Sequence, residues 1–148
     1  MLIREIGTDG EFAAVLELLE DLNDGVASDE GRMRQNWAKM KQYPYYKVFI
    51  AEDEDRIVGT FCLLICENIG HDGKKFAILE NVVIKSGVRG QGLGRKMLGE
   101  ALELAKRENC YKLMLSSNSQ RQDAHRFYES LGFKRHGISF LVEAGPHD

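Results

Sequence analysis

The stretch that decides the fold is Val88–Met97, with the sequence VRGQGLGRKM. Glycine stands at every second position from 90 to 94, and two arginines and a lysine surround the glycines. The apolar run Phe76–Lys85 before it has the composition of a strand, and the residues after it have the apolar spacing of a helix. Glycine lets a backbone approach an anion at positive φ, and the first amides of a helix attract phosphate oxygens. The stretch therefore predicts an anion-binding turn; the alternative is a glycine-rich turn with solvated arginines.

Two common phosphate-binding motifs are absent from this stretch. The dinucleotide fingerprint needs G-x-G-x-x-G, whereas Gly90, Gly92 and Gly94 are evenly spaced. The P-loop needs lysine after its last glycine, whereas Leu93 follows Gly92. The anion that this turn would bind must therefore be recognised in another way.

The bulk properties bound the class of protein. A chain of 148 residues suits one domain, predicted over 1–148. The net charge of −3 and the pI of about 5.8 argue against a general nucleic-acid binder. Charged residues interrupt the N-terminus, so no signal peptide is predicted, and the longest apolar run, Phe61–Cys66, is too short to span a bilayer. We therefore expect a cytoplasmic protein without membrane partners.

Three cysteines raise the question of a metal site. Cys62, Cys66 and His71 could in principle form one, but both cysteines lie in an apolar strand run. Free core thiols in a reducing compartment explain them better, so no metal is expected.

The order of predicted elements is β-α-α-β-β-β-α-β-α-β, which indicates an α/β domain on a mixed sheet. The Thr8 and Glu11 pair predicts a capping box at the first helix. The predicted elements are a strand at Leu2–Ile6, a helix after Thr8, a helix from Ser28 to about Gln42, a hairpin of Tyr46–Glu52 and Ile57–Cys66, a strand at Phe76–Lys85, a helix to about Glu108, a strand at Tyr111–Leu115, a helix at Asp123–Leu131 and one or two strands within Phe133–Glu143. The buried face of the long helix is predicted to be Leu93, Met97, Ala101, Leu102 and Ala105.

Two motifs carry a resemblance to a known family. VVIKSGVRGQGLGRKML resembles the acetyl-coenzyme A signature Arg/Gln-x-x-Gly-x-Gly/Ala of the GNAT superfamily of N-acetyltransferases, with Arg89, Gly92 and Gly94 at its fixed positions. NSQRQDAHRFYESLGFKRHG resembles the second family motif, through Asn118, Ala124, Phe127, Tyr128, Gly132 and Phe133. SSNSQRQDAHRFY resembles small-amine acetyltransferases, including the aminoalkylphosphonate type, and NCYK and ENVVI resemble glucosamine-phosphate acetyltransferases.

The resemblance implies a fold and a cosubstrate. The fold would be one GNAT-like domain with a mixed, mostly antiparallel twisted sheet flanked by helices. Acetyl-coenzyme A would lie with its pyrophosphate on the turn and its pantetheine arm along the preceding strand, which in this family carries a bulge and splays from the next strand. The residues implied to bind it are Val82, Val83 and Ile84 on the strand, Arg89, Gly90, Gln91, Gly92, Leu93, Gly94 and Arg95 on the turn, and Asn118, His125 and Tyr128 in the second motif.

Acetyl transfer to an amine needs a base for the ammonium, a donor for the oxyanion and a proton for the leaving thiolate. Glu80 is the candidate base, since it stands in an apolar strand where burial would raise its pKa; the alternative is a carboxylate paired at an edge or loop. Asn81 could orient a water. At the carboxylate position of the aminoalkylphosphonate type this chain has Ile78, which departs from that pattern.

Tyr128 is the candidate acid, because the resemblance implies that its phenol lies beside the sulfur of the cosubstrate; the alternative is a half-buried packing residue. Cys110 ends the long helix, away from the expected thioester. Direct transfer of the acetyl group in a ternary complex is therefore favoured over a mechanism with an acetyl-cysteine intermediate. The acceptor pocket is expected from the first two helices and the loop Glu67–Lys75. An aromatic cluster could line it: Trp37, Tyr43, Tyr45 and Tyr46.

The sequence thus favours an acetyl-coenzyme A-dependent N-acetyltransferase that acts on a primary amine of a small metabolite. A protein or peptide N-acetyltransferase and a non-catalytic acyl-coenzyme A-binding module are the alternatives. A homodimer is left open.

Overall fold

The computed structural model describes residues 1–145. Its helices and strands are β1 (Leu2–Glu5), α1 (Asp9–Leu19), α2 (Glu30–Met40), β2 (Tyr46–Asp53), β3 (Arg56–Cys66), β4 (Phe76–Ile84), α3 (Leu93–Arg107), β5 (Leu113–Met114) and α4 (Gln122–Ser130). Single turns of 3₁₀-helix occur at Glu20–Leu22, His71–Gly73 and Ser86–Val88. Nowhere in this described part does a helix combine the length and the hydrophobicity that crossing a bilayer requires.

The chain forms two compact units, Met1–Leu115 and the residues from Ser116 onward. The first unit contains the whole described sheet with α1, α2 and α3, and the second contains α4. One domain over 1–148 stays a prediction.

The sheet has the strand order β1-β2-β3-β4-β5. The first four strands are antiparallel neighbours, and β5 runs parallel to β4. The prediction of a mixed, mostly antiparallel sheet flanked by helices is confirmed. The predicted hairpin of β2 and β3 is also present, and its turn has positive φ at Glu54 (46°) and Asp55 (60°), as short hairpin loops require.

Two helix caps fix where the first helices begin. The Thr8 hydroxyl accepts the Glu11 N–H at 3.2 Å and the Glu11 carboxylate accepts the Thr8 N–H at 3.2 Å, so the predicted capping box is confirmed. The predicted cap of α2 at Ser28 was wrong by one residue. Asp29 caps this helix, because its carboxylate accepts the Arg32 N–H at 2.6 Å.

The helices cover both faces of the sheet. On one face, α1 and α2 complete an apolar cluster whose members are Ile6, Phe12, Val15, Trp37, Val48, Ile50 and Cys62. On the other face, α3 lies against β3 at Gly59, where a built Cβ would stand only 2.6 Å from the sulfur of Met97. A side chain at Gly59 would therefore force the Met97 side chain to move and would crowd the Val83 carbonyl, 3.1 Å away.

Three predictions about the elements were wrong in detail. Leu102 is 41% exposed and Leu98 is buried, because Leu102 lies about 100° around the helix from Ala101 at the centre of the buried face. The strand predicted at Tyr111–Leu115 shortens to Leu113–Met114. No strand forms within Phe133–Glu143, although its composition is strand-like, since no neighbouring strand pairs with this segment in the described structure.

Candidate active site

The centre of β4 carries a bulge. Thr60 pairs with Val83 and Cys62 pairs with Glu80, so the single residue Phe61 faces two residues, Asn81 and Val82. Asn81 has a φ of 54°, and its side-chain amide donates weakly to the sulfur of Cys62 at 3.6 Å. A bulge breaks the regular ladder and bends the strand. The bulge implied by the family resemblance is present, immediately after the candidate base.

Beyond the bulge, β4 has a free edge. Its described pairing with β5 is limited to Ala77 with Leu113 and Ile78 with Met114. The segment from Leu79 to Ile84 extends past this pairing, so it has no β5 partner along that edge. Unpaired backbone groups at an edge can accept an extended ligand as an additional strand. Val82, Val83 and Ile84, the predicted pantetheine contacts, lie on this segment.

The glycine stretch forms the turn into α3. Gly90 has a φ of 83° and Gly92 a φ of 77°, and a Cβ built on either would have no neighbouring atom within 4 Å. Gly92 is the N-cap of α3, with no side-chain cap. The first amides of the helix, including those of Leu93 and Gly94, have no partner within the helix by its geometry. The turn therefore has the open backbone and the helix start that an anion site needs.

Arg89 points back toward the sheet. Its Nε donates to the carbonyl of Ile84 at 3.0 Å, and its guanidinium lies 3.5 Å from the carboxylate of Asp21. The side chain thus connects the end of β4 with the turn after α1. Its backbone is part of the turn, and its role toward an anion stays a prediction.

Glu80 lies on the face of the sheet that α1 and α2 cover, because it pairs directly with Cys62. The burial expected for it is not observed: Glu80 is exposed. The strand bends at the bulge beside it, and no helix residue covers the carboxylate enough to bury it. A base at this position would work in contact with water.

Two tyrosines accompany Glu80. Tyr46 and Tyr43 pack edge to face with ring centroids 5.6 Å apart. Burial raises the pKa of Tyr46, and the nearby Cys62 and Glu80 charges add to that shift. These residues form a face that we call the tyrosine patch: Tyr43, Tyr46, Cys62, Glu80 and Asn81.

The predicted aromatic cluster is divided in the structure. Trp37 is buried and stacks on Phe12 with centroids 4.7 Å apart, so it belongs to the core. Tyr45 lies elsewhere, with the Lys47 ammonium 4.8 Å from its ring centroid. Burial, followed by the charge of Glu108, raises the pKa of Tyr45 to about 12. Only Tyr43 and Tyr46 accompany the candidate base.

The second unit presents Tyr128 on α4. Its side chain is half-buried between aromatic neighbours, with Phe127 at 5.7 Å and Phe133 at 6.0 Å between centroids. Burial raises the pKa of Tyr128, an effect that the charge of Arg121 partly offsets. The phenol is therefore protonated at neutral pH, which is the form that a proton donor needs.

Asn118 and His125 are joined in the same unit. The Asn118 side chain accepts the Gln120 N–H at 2.9 Å, and its backbone carbonyl accepts from His125 Nε2 at 2.8 Å. These bonds shape the turn that leads to α4. The described contacts of Asn118 therefore show a role in local structure, and its role toward a ligand stays a prediction.

Ser117 is a residue that the sequence reasoning missed. Its hydroxyl oxygen is buried, and no hydrogen-bond partner for it exists among the described residues. A buried hydroxyl without a partner is costly, so such groups often meet a ligand or water. Its position directly before Asn118 was the available signal.

Cys62 and Cys66 both lie in β3, as expected, and burial raises the pKa of Cys62. Within residues 1–145, no three His, Cys, Asp or Glu side chains come together as a group that could hold a metal ion.

Comparison with known proteins gives a consistent result. A family model described as the acetyltransferase (GNAT) family matches residues 12–133. A glucosamine 6-phosphate N-acetyltransferase of Trypanosoma brucei brucei is 34% identical over 90 residues, which are 61% of this chain and 59% of that protein. The chain thus spans somewhat less than two thirds of that relative.

Two further matches extend over most of the chain. An aminoalkylphosphonate N-acetyltransferase of Salmonella typhimurium is 29% identical over 133 residues, covering 90% of this chain and 82% of that protein. The structure of a putative acetyltransferase from Agrobacterium tumefaciens superposes with a TM-score of 0.89 at 32% identity, covering 97% of this chain and 99% of the other. Both resemblances noted in the sequence, to the aminoalkylphosphonate and glucosamine-phosphate types, are thereby confirmed as similarities.

Proposed function

Because this chain belongs to the acetyltransferase (GNAT) family, we propose that it transfers the acetyl group of acetyl-coenzyme A to a primary amine of a small cytoplasmic metabolite. The transfer is direct, within a ternary complex. The observation that carries the proposal is the bulged edge of β4, which leads into a glycine turn with φ values of 83° and 77° at the start of α3.

Acetyl-coenzyme A fits the residues of this region and supplies the acetyl group as an activated thioester. The backbone of Arg89–Arg95 holds its pyrophosphate, since Gly90 and Gly92 leave room for the anion and α3 begins there. The edge of Val82–Ile84 holds the pantetheine arm through backbone hydrogen bonds. Asn118 and His125 contribute further contacts from the second motif.

Glu80 removes the proton from the acceptor ammonium. An alkylammonium has a pKa of about 10, so an amine must lose a proton before it can attack at neutral pH. The exposure of Glu80 supports transfer of that proton through water, which a nearby Asn81 side chain helps to orient.

Tyr128 protonates or hydrogen-bonds the departing sulfur. Its raised pKa keeps the proton on the phenol until the thiolate develops. An acetyl-cysteine route is disfavoured because burial raises the pKa of Cys110, which reduces the thiolate that such a route needs.

The tyrosine patch forms one wall of the acceptor site. It presents a carboxylate and two aromatic rings, which together suit an ammonium group. Because relatives are named for glucosamine 6-phosphate and aminoalkylphosphonates, acceptors that carry both an amine and a phosphate or phosphonate are the first to test.

An acceptor screen tests the proposal. Amino sugars, amino-sugar phosphates, aminophosphonates, polyamines, amino acids and lysine peptides are offered with acetyl-coenzyme A, and free thiol release is measured. Turnover with a small amine supports the proposal. Activity confined to lysine peptides would make the chain a protein acetyltransferase, and binding of acetyl-coenzyme A without turnover on any acceptor would make it a binding module.

The cosubstrate site makes a first prediction. Gly92→Asn weakens acetyl-coenzyme A binding by tenfold or more, because asparagine tolerates the left-handed backbone but places a side chain where the phosphate lies. Gly25→Asn is the matched control, since Gly25 has a φ of 80° and equally open surroundings. Calorimetry that gives equal affinities for the two variants would exclude the assigned turn.

A further inference from the structure

An ion pair joins the segment after α1 to the turn that we assign to the pyrophosphate. Asp21 lies in the 3₁₀ turn Glu20–Leu22, which directly follows α1 and contacts β4. Its carboxylate lies 3.5 Å from the guanidinium of Arg89, at the start of the glycine turn. No motif in the sequence pointed to Asp21, which is far from Arg89 along the chain.

The same guanidinium holds the end of β4. Arg89 Nε donates to the Ile84 carbonyl at 3.0 Å. This carbonyl points away from β3, because the Lys85 N–H of the same peptide unit donates to the Val58 carbonyl of β3 at 2.9 Å, and the two groups of a trans peptide point in opposite directions. Arg89 therefore occupies the last backbone acceptor on the edge that we assign to the pantetheine arm.

Arg89 needs both contacts to keep one position. Its side chain is long and 59% exposed, so a single hydrogen bond to Ile84 leaves the guanidinium considerable freedom. The contact with Asp21 restricts the planar guanidinium from a second direction. Residues 90–94 follow Arg89 directly, so the position of Arg89 sets the distance between the edge of β4 and the start of α3.

We propose that Asp21 is a positioning residue for acetyl-coenzyme A. It holds Arg89 on the Ile84 carbonyl and thereby keeps the edge that binds the pantetheine arm at a fixed distance from the amides that bind the pyrophosphate. Its carboxylate acts through Arg89 and makes no contact of its own with the cosubstrate. The inference rests on the proposed function, because it concerns the same cosubstrate site.

Asp21 also connects this site to the acceptor side. It belongs to the segment between α1 and α2, and the acceptor pocket is expected from these two helices. In the described structure, the other polar contact made by side chains of residues 20–28 is local, from the Asn23 amide to the Ser28 hydroxyl at 3.5 Å. A cosubstrate that fixes Arg89 therefore restricts this segment through Asp21.

Calorimetry with acetyl-coenzyme A is the first test. Asp21→Asn weakens binding about threefold at low salt, which is the size of effect expected from an exposed ion pair. The difference from the unmodified chain closes at about 1 M salt, where charges are screened beyond about 3 Å. Asp24→Asn is the matched control: it removes the same charge from the same segment, at a φ of 53° that asparagine tolerates, and it leaves the affinity unchanged.

A double-mutant cycle tests whether Asp21 acts through Arg89. Arg89→Met removes both contacts of the guanidinium, so adding Asp21→Asn to this variant causes no further loss of affinity. A loss of equal size in both backgrounds overturns the proposal. Tighter binding by Asp21→Asn also overturns it, because that result would mean that Asp21 competes with the anion for Arg89.

Hydrogen exchange gives a readout that needs no acceptor. Saturating coenzyme A slows exchange of the amides of residues 20–23 in the unmodified chain and in Asp24→Asn, but not in Asp21→Asn. Equal slowing in all three chains would contradict the role of Asp21 and leave the proposed function intact. An unmodified chain that does not bind coenzyme A would remove the proposed cosubstrate site and this inference with it.

Discussion

At the level of single residues, the two candidate catalytic groups have opposite environments. Tyr128 is half-buried, and its burial raises the pKa of the phenol, whereas Glu80 is exposed. The phenol can therefore hold its proton until a strong base forms beside it. The carboxylate, in contrast, is in contact with water.

Tyr128→Phe lowers turnover by about a hundredfold or more and leaves acetyl-coenzyme A affinity nearly unchanged. The substitution keeps the ring and removes the hydroxyl that we propose acts late in the reaction, so the loss falls on turnover and not on binding. Steady-state kinetics and calorimetry measure the two effects.

A donor with a more acidic thiol provides the discriminating measurement for Tyr128. A better leaving group needs less help from an acid, so the loss shrinks with that donor. Tyr111→Phe, the control, retains full turnover with both donors. A loss in Tyr128→Phe of the same size for good and poor leaving groups would assign Tyr128 to packing alone.

Glu80→Gln lowers turnover mainly where the acceptor amine is protonated and less at high pH, where the amine is already neutral. This follows from its proposed removal of the ammonium proton. The pH–rate profile from pH 6 to 10 checks it, with Glu103→Gln on the exposed face of α3 as control. If both variants keep the shape of the unmodified profile, Glu80 is not the base.

At the level of elements, α1 is joined to the sheet by an ionic network. Arg4 donates to Glu11 at 2.6 Å and to Glu52 at 3.2 Å, and the Gly7 N–H donates to Glu11 at 2.7 Å. The hydrogen bond from Arg4, followed by that from Gly7, lowers the pKa of Glu11 from 4.5 to about 2. The carboxylate of the capping box thus also holds β1.

The depressed pKa of Glu11 makes the stability depend on pH. A carboxylate whose pKa is lower in the folded state adds stability that is present above 4.5 and is lost as the pH falls toward about 2. Glu11→Gln therefore destabilises the chain at pH 7 and makes its stability less dependent on pH in that range. Urea denaturation at several pH values measures this.

Glu17→Gln is the control for Glu11. Glu17 is an exposed carboxylate on the same helix, so its replacement leaves the pH dependence unaltered. A Glu11→Gln curve parallel to that of the unmodified chain would show that the network contributes nothing to stability.

Local signals predicted the start of α1 well and the bulge poorly. The capping box is decided by Thr8 and Glu11 themselves, whereas the bulge depends on how Phe61 of a distant strand pairs with β4. Asparagine is enriched at positive φ, so Asn81 held a weak hint of the bulge. The expected burial of Glu80 failed for the same reason, since an apolar sequence context does not reveal where a strand bends.

At the level of the whole molecule, local patterns predicted the order of elements as far as α4 and the hairpin of β2 and β3, and the family resemblance implied the mostly antiparallel sheet. The final strand was not found, because a strand exists only where another strand receives it. Residues 137–143 have the composition of a strand, whether or not another strand pairs with them.

The tyrosine patch shows the same limit for the site. The four aromatic residues from Trp37 to Tyr46 are close together in the sequence, but in the structure Trp37 of α2 stacks on Phe12 and Tyr45 lies apart from the pair Tyr43 and Tyr46. Proximity along the chain suggested a single wall. Tyr43 and Tyr46 lie together beside the candidate base, and Trp37 lies in the core.

The extra residue of the β4 bulge could be removed by the deletion of a single codon. Glu80 pairs with Cys62 and Val83 pairs with Thr60, and these residues all lie on one face of the sheet. If the Asn81 codon is deleted in frame, Val82 alone faces Phe61. The pairing of β3 and β4 is then regular, and every remaining side chain keeps its face of the sheet. The product should melt at an equal or higher temperature and lose acetyl-coenzyme A affinity, which thermal scanning and calorimetry would establish. That outcome would show that the loss of a single codon can remove cosubstrate binding and leave the protein folded.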